Sequence, residues 1–194
     1  MTDENIAEIS QKRLEYYAKN YRIFMDTCSL LQEETGLFFE HLLPVLTDVC
    51  GRNAEKGGDH RIILPTIVIK ELRKHSHDRR NAIRRDRAIR MLQLIDFLER
   101  ENLAEIRGEA GDIADGCLAD PVFQYVFAWH RLDSKLLLIT QDIGLAEDVL
   151  KLNQSKSAHA GNVLVKRINR YGYLSNRCVW KAAENMQPVS QTAS

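Results

Sequence analysis

The feature that most constrains this chain is a set of short, unbroken apolar runs: YRIFMD at 21–26, RIILP at 61–65 and KLLLIT at 135–140. None alternates polar with apolar residues, as a strand with one wet face would, so each should be covered on both faces. Segments with helical spacing lie around them. Residues 4–19 put Ile6, Ile9, Leu14 and Tyr17 on one face, and FFEHLLPVLTDVC continues as a helix that Pro44 should kink or break. From Asp78 to Arg100 a helical stripe runs through Ala88, Met91, Leu92, Ile95 and Leu98. Asp120-Pro121 opens a helix with Val122, Tyr125, Val126 and Trp129 at i, i+3, i+4, i+7 spacing, and Leu145, Val149 and Leu152 mark another. LAEIR at 103–107 predicts an edge-like strand, and NVLVKRI at 162–168 a fifth, weaker one. Buried strands alternating with helices predict an α/β fold, with a central, mostly parallel sheet of about five strands.

At 194 residues the chain suits one hydrophobic core, and ten Gly with four Pro favour long helices over a sandwich of short strands. We divide it into an N-terminal helical extension (1–20), a central domain (21–170) and a C-terminal extension with a polar tail (171–194). No apolar run reaches the ~18 residues of a membrane span, and the acidic opening MTDENIAEIS is unlike a signal peptide. Cys28, Cys50, Cys117 and Cys178 show no CxxC or zinc spacing, so the expectation is free thiols in the cytoplasm, with Cys28 and Cys50 acting as small buried hydrophobes.

Ligands of parallel sheets bind outside the carboxyl ends of the strands. There the sequence places carboxylates. The first strand ends at Asp26, the fourth at Asp142, Glu71 lies about one and a half turns into the helix after the second, and Asp120 starts the helix leading to the fourth. Each has a plain structural alternative. Asp120 and Asp142 are good helix caps, and Glu71 has the basic neighbours Lys70, Arg73 and Lys74. Asp26, directly after RIFM, is costly to bury without a partner. Two unit charges 4 Å apart repel by about 4 kcal/mol at an effective dielectric of ~20, so four gathered acids require raised pKa values or a cation. An all-oxygen set suits Mg²⁺ or Mn²⁺, which can activate water for in-line phosphodiester cleavage. Thr27, Ser29 and Thr140 stand where they could orient such a water.

In order, strand-Asp-Thr, Pro-Thr-x-Val-x-x-Glu-Leu, Asp before an apolar helix, and strand-Thr-x-Asp resemble the PIN-domain nucleases, over roughly Tyr21 to Ile168. The resemblance implies a three-layer α/β/α fold, here with an extra N-terminal helix, and a divalent-metal-dependent ribonuclease whose acids match Asp26, Glu71, Asp120 and Asp142. Asp112 and Asp115 lie close enough in sequence to replace or join Asp120. The resemblance also implies a homodimer and, in the related toxins of toxin–antitoxin pairs, a cognate antitoxin; this chain is longer than those toxins at both ends. A phosphotransfer domain built on MDTCS fits less well, because Cys28 stands where a second Asp would be needed.

The formal net charge of zero does not exclude a nucleic-acid partner, because it is a cancellation. Lys70–Arg90 carries nine Lys/Arg against three acids, and Lys151–Lys181 seven against none. Arg73, Lys74, Arg79, Arg80, Lys166, Arg167 and Arg170 are the candidate phosphate contacts, with Tyr171, Tyr173 and Trp180 able to stack on bases. A solvated helix face would account equally for the first group, and His75, His77 and His159 add only a weak metal signal. The expected partner is RNA with single-stranded character, with DNA left open. A non-catalytic nucleic-acid-binding module on the same fold is the alternative.

Overall fold

All five expected strands form, each four residues long: β1 (Arg22–Met25), β2 (Ile62–Pro65), β3 (Ala104–Arg107), β4 (Leu136–Ile139) and β5 (Val163–Lys166). The structure, a computed structural model, describes residues 3–53, 60–113, 116, 118–131, 134–154 and 163–175. The strands make one parallel sheet in the order β3-β2-β1-β4-β5, enclosed by helices as a three-layer α/β/α fold. Ile23, Phe24, Met25, Ile62, Ile63 and the whole of β4 are fully buried, whereas edge strands β3 and β5 carry half-buried positions. Burying the four side chains of Leu136–Ile139 contributes on the order of 6–12 kcal/mol, comparable with the net stability of a domain. That fixes β4 in the interior of the sheet, between β1 and β5 and in register with β1 from Arg22↔Leu136 to Met25↔Ile139.

The helices are α1 (Asp3–Asn20), α2 (Thr27–Leu30), α3 (Thr35–Asn53), α4 (Thr66–Ser76), α5 (Ala82–Arg100), α6 (Ala119–His130) and α7 (Ile143–Lys151). Four differ from the sequence reading. In α1 only Leu14 and Tyr17 of the expected face reach the core, joined by Ala18, while Ile6 and Ile9 stay 46% and 41% exposed. Helix α3 runs through Pro44, which is exposed, so water can satisfy the carbonyl left without its amide partner. The basic helix starts at Ala82 rather than Asp78, because the Asn81 side chain accepts from the Arg84 amide (3.0 Å) and caps it. In α6 the buried face is Phe123, Val126 and Phe127, and Tyr125 and Trp129 are 63% and 65% exposed. Phe127 meets Phe24 edge-on at 4.9 Å, so this rotation buries phenyl rings and leaves the two rings with polar tips in water. The stripe on α5 holds: Ala88, Ile95 and Leu98 are buried, and Met91 and Leu92 pack against the core.

Chain order reverses beside β1: β2 and β3 lie to one side, β4 and β5 to the other. Such a switch point opens a crevice at the carboxyl ends of the two strands that flank it. No described helix is long and apolar enough to cross a membrane.

Candidate active site

Asp26 follows β1 directly and caps α2, its Oδ1 accepting from the Ser29 amide at 2.9 Å. Its Oδ2 accepts from the Thr140 hydroxyl (2.5 Å) and the Cys28 thiol (2.9 Å). The residue is only 5% exposed. Burial pushes its carboxyl above the usual Asp range, and the donors from Cys28, Thr140 and Ser29 pull it back without winning.

Thr140, just past β4, donates to Asp26 and accepts from the Asp142 amide at 2.9 Å. Asp142 caps α7 through Oδ1, which accepts from the Leu145 amide at 3.0 Å. Glu71 projects from α4, and its Oε2 accepts from the Thr27 hydroxyl. Asp120 lies in the first turn of α6; its carboxyl is raised by burial, then by the charges of Asp142 and Asp148.

The four acids line one open cleft of about 180 Å³, together with Thr27, Cys28, His75, Arg84 and an apolar floor that includes Ile67, Val68 and Phe123. The switch point brings Asp26 and Asp142 there, α4 carries in Glu71, and α6 carries in Asp120.

Several expectations change in this geometry. Asp120 is not a cap, because α6 begins one residue earlier with Leu118 as its N-cap. Asp112 does not join the cleft; its Oδ2 accepts from the Glu109 amide (2.7 Å) and the Thr66 hydroxyl (3.4 Å). Asp115, Cys117, His159, Trp180 and Cys178 lie outside the described residues. Ser29 and Thr140 are fully buried, with hydroxyls committed to the Ile139 carbonyl (3.0 Å) and to Asp26, so they brace the acids rather than orient a water. Thr27 likewise holds Glu71. Cys28 is no hydrophobe: its thiol lines the cleft, and burial with the neighbouring Asp26 pushes it up to about 12. Cys28 and Cys50 are free thiols. His77 bonds to the Arg73 carbonyl at 2.7 Å and does not pair with His75 across a metal site.

None of the seven basic candidates lines the cleft itself. Arg73, Lys74, Arg79 and Arg80 are exposed around the end of α4 and the turn into α5. Arg167 donates to the Gln141 side chain (2.7 Å), one residue from Asp142, so it marks the opposite rim. Lys166 is turned to the Tyr17 ring of α1 at 5.7 Å. Arg170 covers the Tyr171 ring at 4.6 Å, and Tyr173 stacks on His41 at 4.1 Å, so both rings already have a partner on one face. The residues missed from sequence are Arg84 and, as a cleft residue, His75. Only the start of α5 distinguishes Arg84 from Arg85 and Arg87, and Asn81 three residues ahead is the signal that could have found it.

Among the described residues no three His, Cys, Asp or Glu side chains close into a metal-holding cluster. The donor set still fits a hard divalent ion that keeps its waters. It consists of carboxylate oxygens, two of the four carboxyls are raised by burial, Asp120 also by neighbouring acids, and the volume far exceeds the ~10–15 Å³ one water occupies. Burial with the Arg84 charge holds the His75 imidazole below its usual range, so that ring is a neutral neighbour of the acids.

A family model described as PIN domain matches residues 23–148. Among curated proteins no match was found. A solved structure described as a domain of a functionally unknown protein from Methanocaldococcus jannaschii DSM 2661 is 21% identical, covers 66% of this chain and 82% of its own, and superposes with a TM-score of 0.36.

Proposed function

Because this chain belongs to the PIN-domain family, a nuclease-type fold, we propose that it is a divalent-metal-dependent ribonuclease acting on RNA with single-stranded character. The observation that carries this is the convergence of Asp26, Glu71, Asp120 and Asp142 on one cleft at the switch point.

Bound Mg²⁺ or Mn²⁺ would supply Lewis-acid activation of water and neutralise charge building on the phosphate. The four acids would hold the ion. The protein's own contribution is rigidity. Thr140 ties the Asp26 carboxylate to the Asp142 backbone, and Thr27 fixes Glu71, so three of the acids are set before substrate arrives. Asp26 and Asp120 are disfavoured as anions by their surroundings, which makes the site gain from any cation that enters. In the hydrolysis a water oxygen bonds to phosphorus, one P–O ester bond breaks, and the departing alkoxide leaves with a proton. Basic rims at Arg73–Arg80 and at Arg167 give salt-sensitive, sequence-independent attraction to the backbone.

The test is cleavage of mixed RNA and DNA oligonucleotides with Mn²⁺ or Mg²⁺, wild type beside Asp26→Asn. RNA cleavage that needs the metal and is lost in the variant is expected. Equal cleavage by both proteins removes Asp26 from the site. A toxin role paired with an antitoxin predicts that inducing the wild type, and not Asp26→Asn, arrests growth.

A further inference from the structure

We propose that Arg84 is a substrate-contacting residue of this cleft, holding a non-bridging oxygen of the phosphodiester under attack. The inference rests on the nuclease reading above and deepens it, by assigning the contact that the acids cannot make. Four carboxylates repel a phosphate as well as attract a cation, and among the described residues lining the cleft Arg84 is the one with a permanent positive charge.

Its backbone is held in place, and its exposed side chain lies on the wall of the cleft. The Asn81 side chain accepts from the Arg84 amide at 3.0 Å, setting the first turn of α5, and α5 packs along α4, which carries Glu71. The guanidinium is not bound up in holding the acids. Among the described residues it lies within ion-pair distance of no carboxylate, although four line the same cleft. Glu71 is braced by Thr27 instead, and Asp26 by Ser29, Thr140 and Cys28. Neighbours facing elsewhere on α5 do pair: Arg85 with Asp86 at 3.2 Å, Arg87 with Glu33 at 3.0 Å, Arg100 with Asp96 at 2.6 Å. An unpaired Arg inside an acidic cleft is what an incoming anion would complete.

The guanidinium fork matches two phosphate oxygens and keeps its charge at any working pH. As the water oxygen bonds to phosphorus and the ester oxygen departs, negative charge grows on the oxygens that Arg84 holds. Arg84 donates hydrogen bonds and transfers no proton. Removing one such donor costs about 10²–10³ in rate in other enzymes that stabilise oxyanions.

The experiment measures two quantities on one labelled single-stranded RNA: anisotropy binding in EDTA at low salt, and single-turnover cleavage in Mn²⁺. Proteins are wild type, Arg84→Ala, Arg84→Lys, Asp26→Asn and the control Arg100→Ala, whose side chain is tied to Asp96 at the far end of α5. Arg84→Ala should bind about tenfold more weakly and cleave about 100-fold more slowly, with Arg84→Lys between it and wild type. Arg100→Ala should match wild type in both. An Arg84→Ala protein that binds within about twofold of wild type overturns the inference. Cleavage abolished by Asp26→Asn but undiminished in Arg84→Ala leaves the nuclease reading standing and removes Arg84. A wild type that binds RNA without cleaving it removes the nuclease reading, and the Arg84→Ala binding defect then decides this one.

Discussion

Replacing Asp26 by Asn should make the protein more stable while abolishing its activity, and the structure sets the size of the effect. The carboxylate is 5% exposed and accepts three hydrogen bonds, from Ser29, Thr140 and Cys28. Asn keeps the acceptor for the Ser29 amide but puts an NH₂ where Oδ2 stood, so the Thr140 and Cys28 hydrogens must turn away. Bonds to a carboxylate are worth about 1.5–3 kcal/mol each, part of which the Asn NH₂ recovers by donating to the Thr140 oxygen. Burying an ion costs several kcal/mol, and on this carboxyl burial outweighs the hydrogen bonds it accepts. The balance favours Asn by about 1–2 kcal/mol at neutral pH, a rise in Tm of roughly 2–8 °C for a chain of this length. The pH dependence gives the sign. Asp26 has a folded-state pKa above its unfolded value of about 3.9, so the native state holds the proton more tightly. Its stability is therefore greatest below about pH 4 and falls as pH rises towards the folded-state value. The advantage of Asp26→Asn should vanish near pH 4 and open as pH rises. Urea denaturation followed by far-UV circular dichroism from pH 4 to 8 in EDTA measures this. Adding Mn²⁺ at 100 times its Kd should return about 2.7 kcal/mol to the wild type and much less to the variant. A variant less stable at pH 7, or an advantage equal at pH 4 and pH 8, would refute the claim that a buried charge its hydrogen bonds do not offset is what burdens this site.

Asp142→Ala should lose cleavage together with about 0.5–2 kcal/mol of stability, because its Oδ1 caps α7, whereas Asp142→Asn should lose cleavage and keep the cap; thermal melts beside activity separate the two. Gly172 has φ +71 and an added Cβ would lie 2.6–2.8 Å from Leu37 and Phe38 atoms, so Gly172→Ala should destabilise by about 1–3 kcal/mol in denaturant titration. Changing Arg73, Lys74, Arg79 and Arg80 together to Gln should flatten the salt dependence of RNA binding, by about 0.7 in log–log slope for each phosphate that is no longer neutralised. An unchanged slope would assign that surface to solvent alone.

The strands were legible because IFM, IILP and LLLI are apolar throughout, and a run buried on both faces needs no partner information to be recognised. Parallel pairing then followed from the helices between them. Asp26 and Asp142 were visible because a strand end is a position in sequence as well as in space, and Glu71 and Asp120 because they sit on the helices next to β2 and β4 in the chain. What was not legible depends on rotation about an axis. On α6, Val122, Tyr125, Val126 and Trp129 and the observed Phe123, Val126 and Phe127 are faces offset by a fraction of a turn, and contact with Phe24 chooses between them. On α5, moving the start from Asp78 to Ala82 separates Arg84 from its paired neighbours. The hydroxyls of Ser29 and Thr140 were expected to serve water because their partners, the Ile139 carbonyl and Asp26, come into reach only when β1 and β4 pair.

That pairing has a consequence for the order in which the proposed site is assembled. β1 meets its partner β4 across Arg22↔Leu136, so the strand bearing Asp26 waits for more than half the chain before its inner edge is filled. Closing so long a loop is slow compared with local helix formation. Synthesis at about 5–20 residues per second separates the two halves of the site by many seconds. During that interval Asp26 and Glu71 exist without Thr140 to hold the one or Asp142 to complete the cleft. Under the proposed function, a nascent chain is therefore unarmed until β4 docks, and folding itself acts as the safety catch.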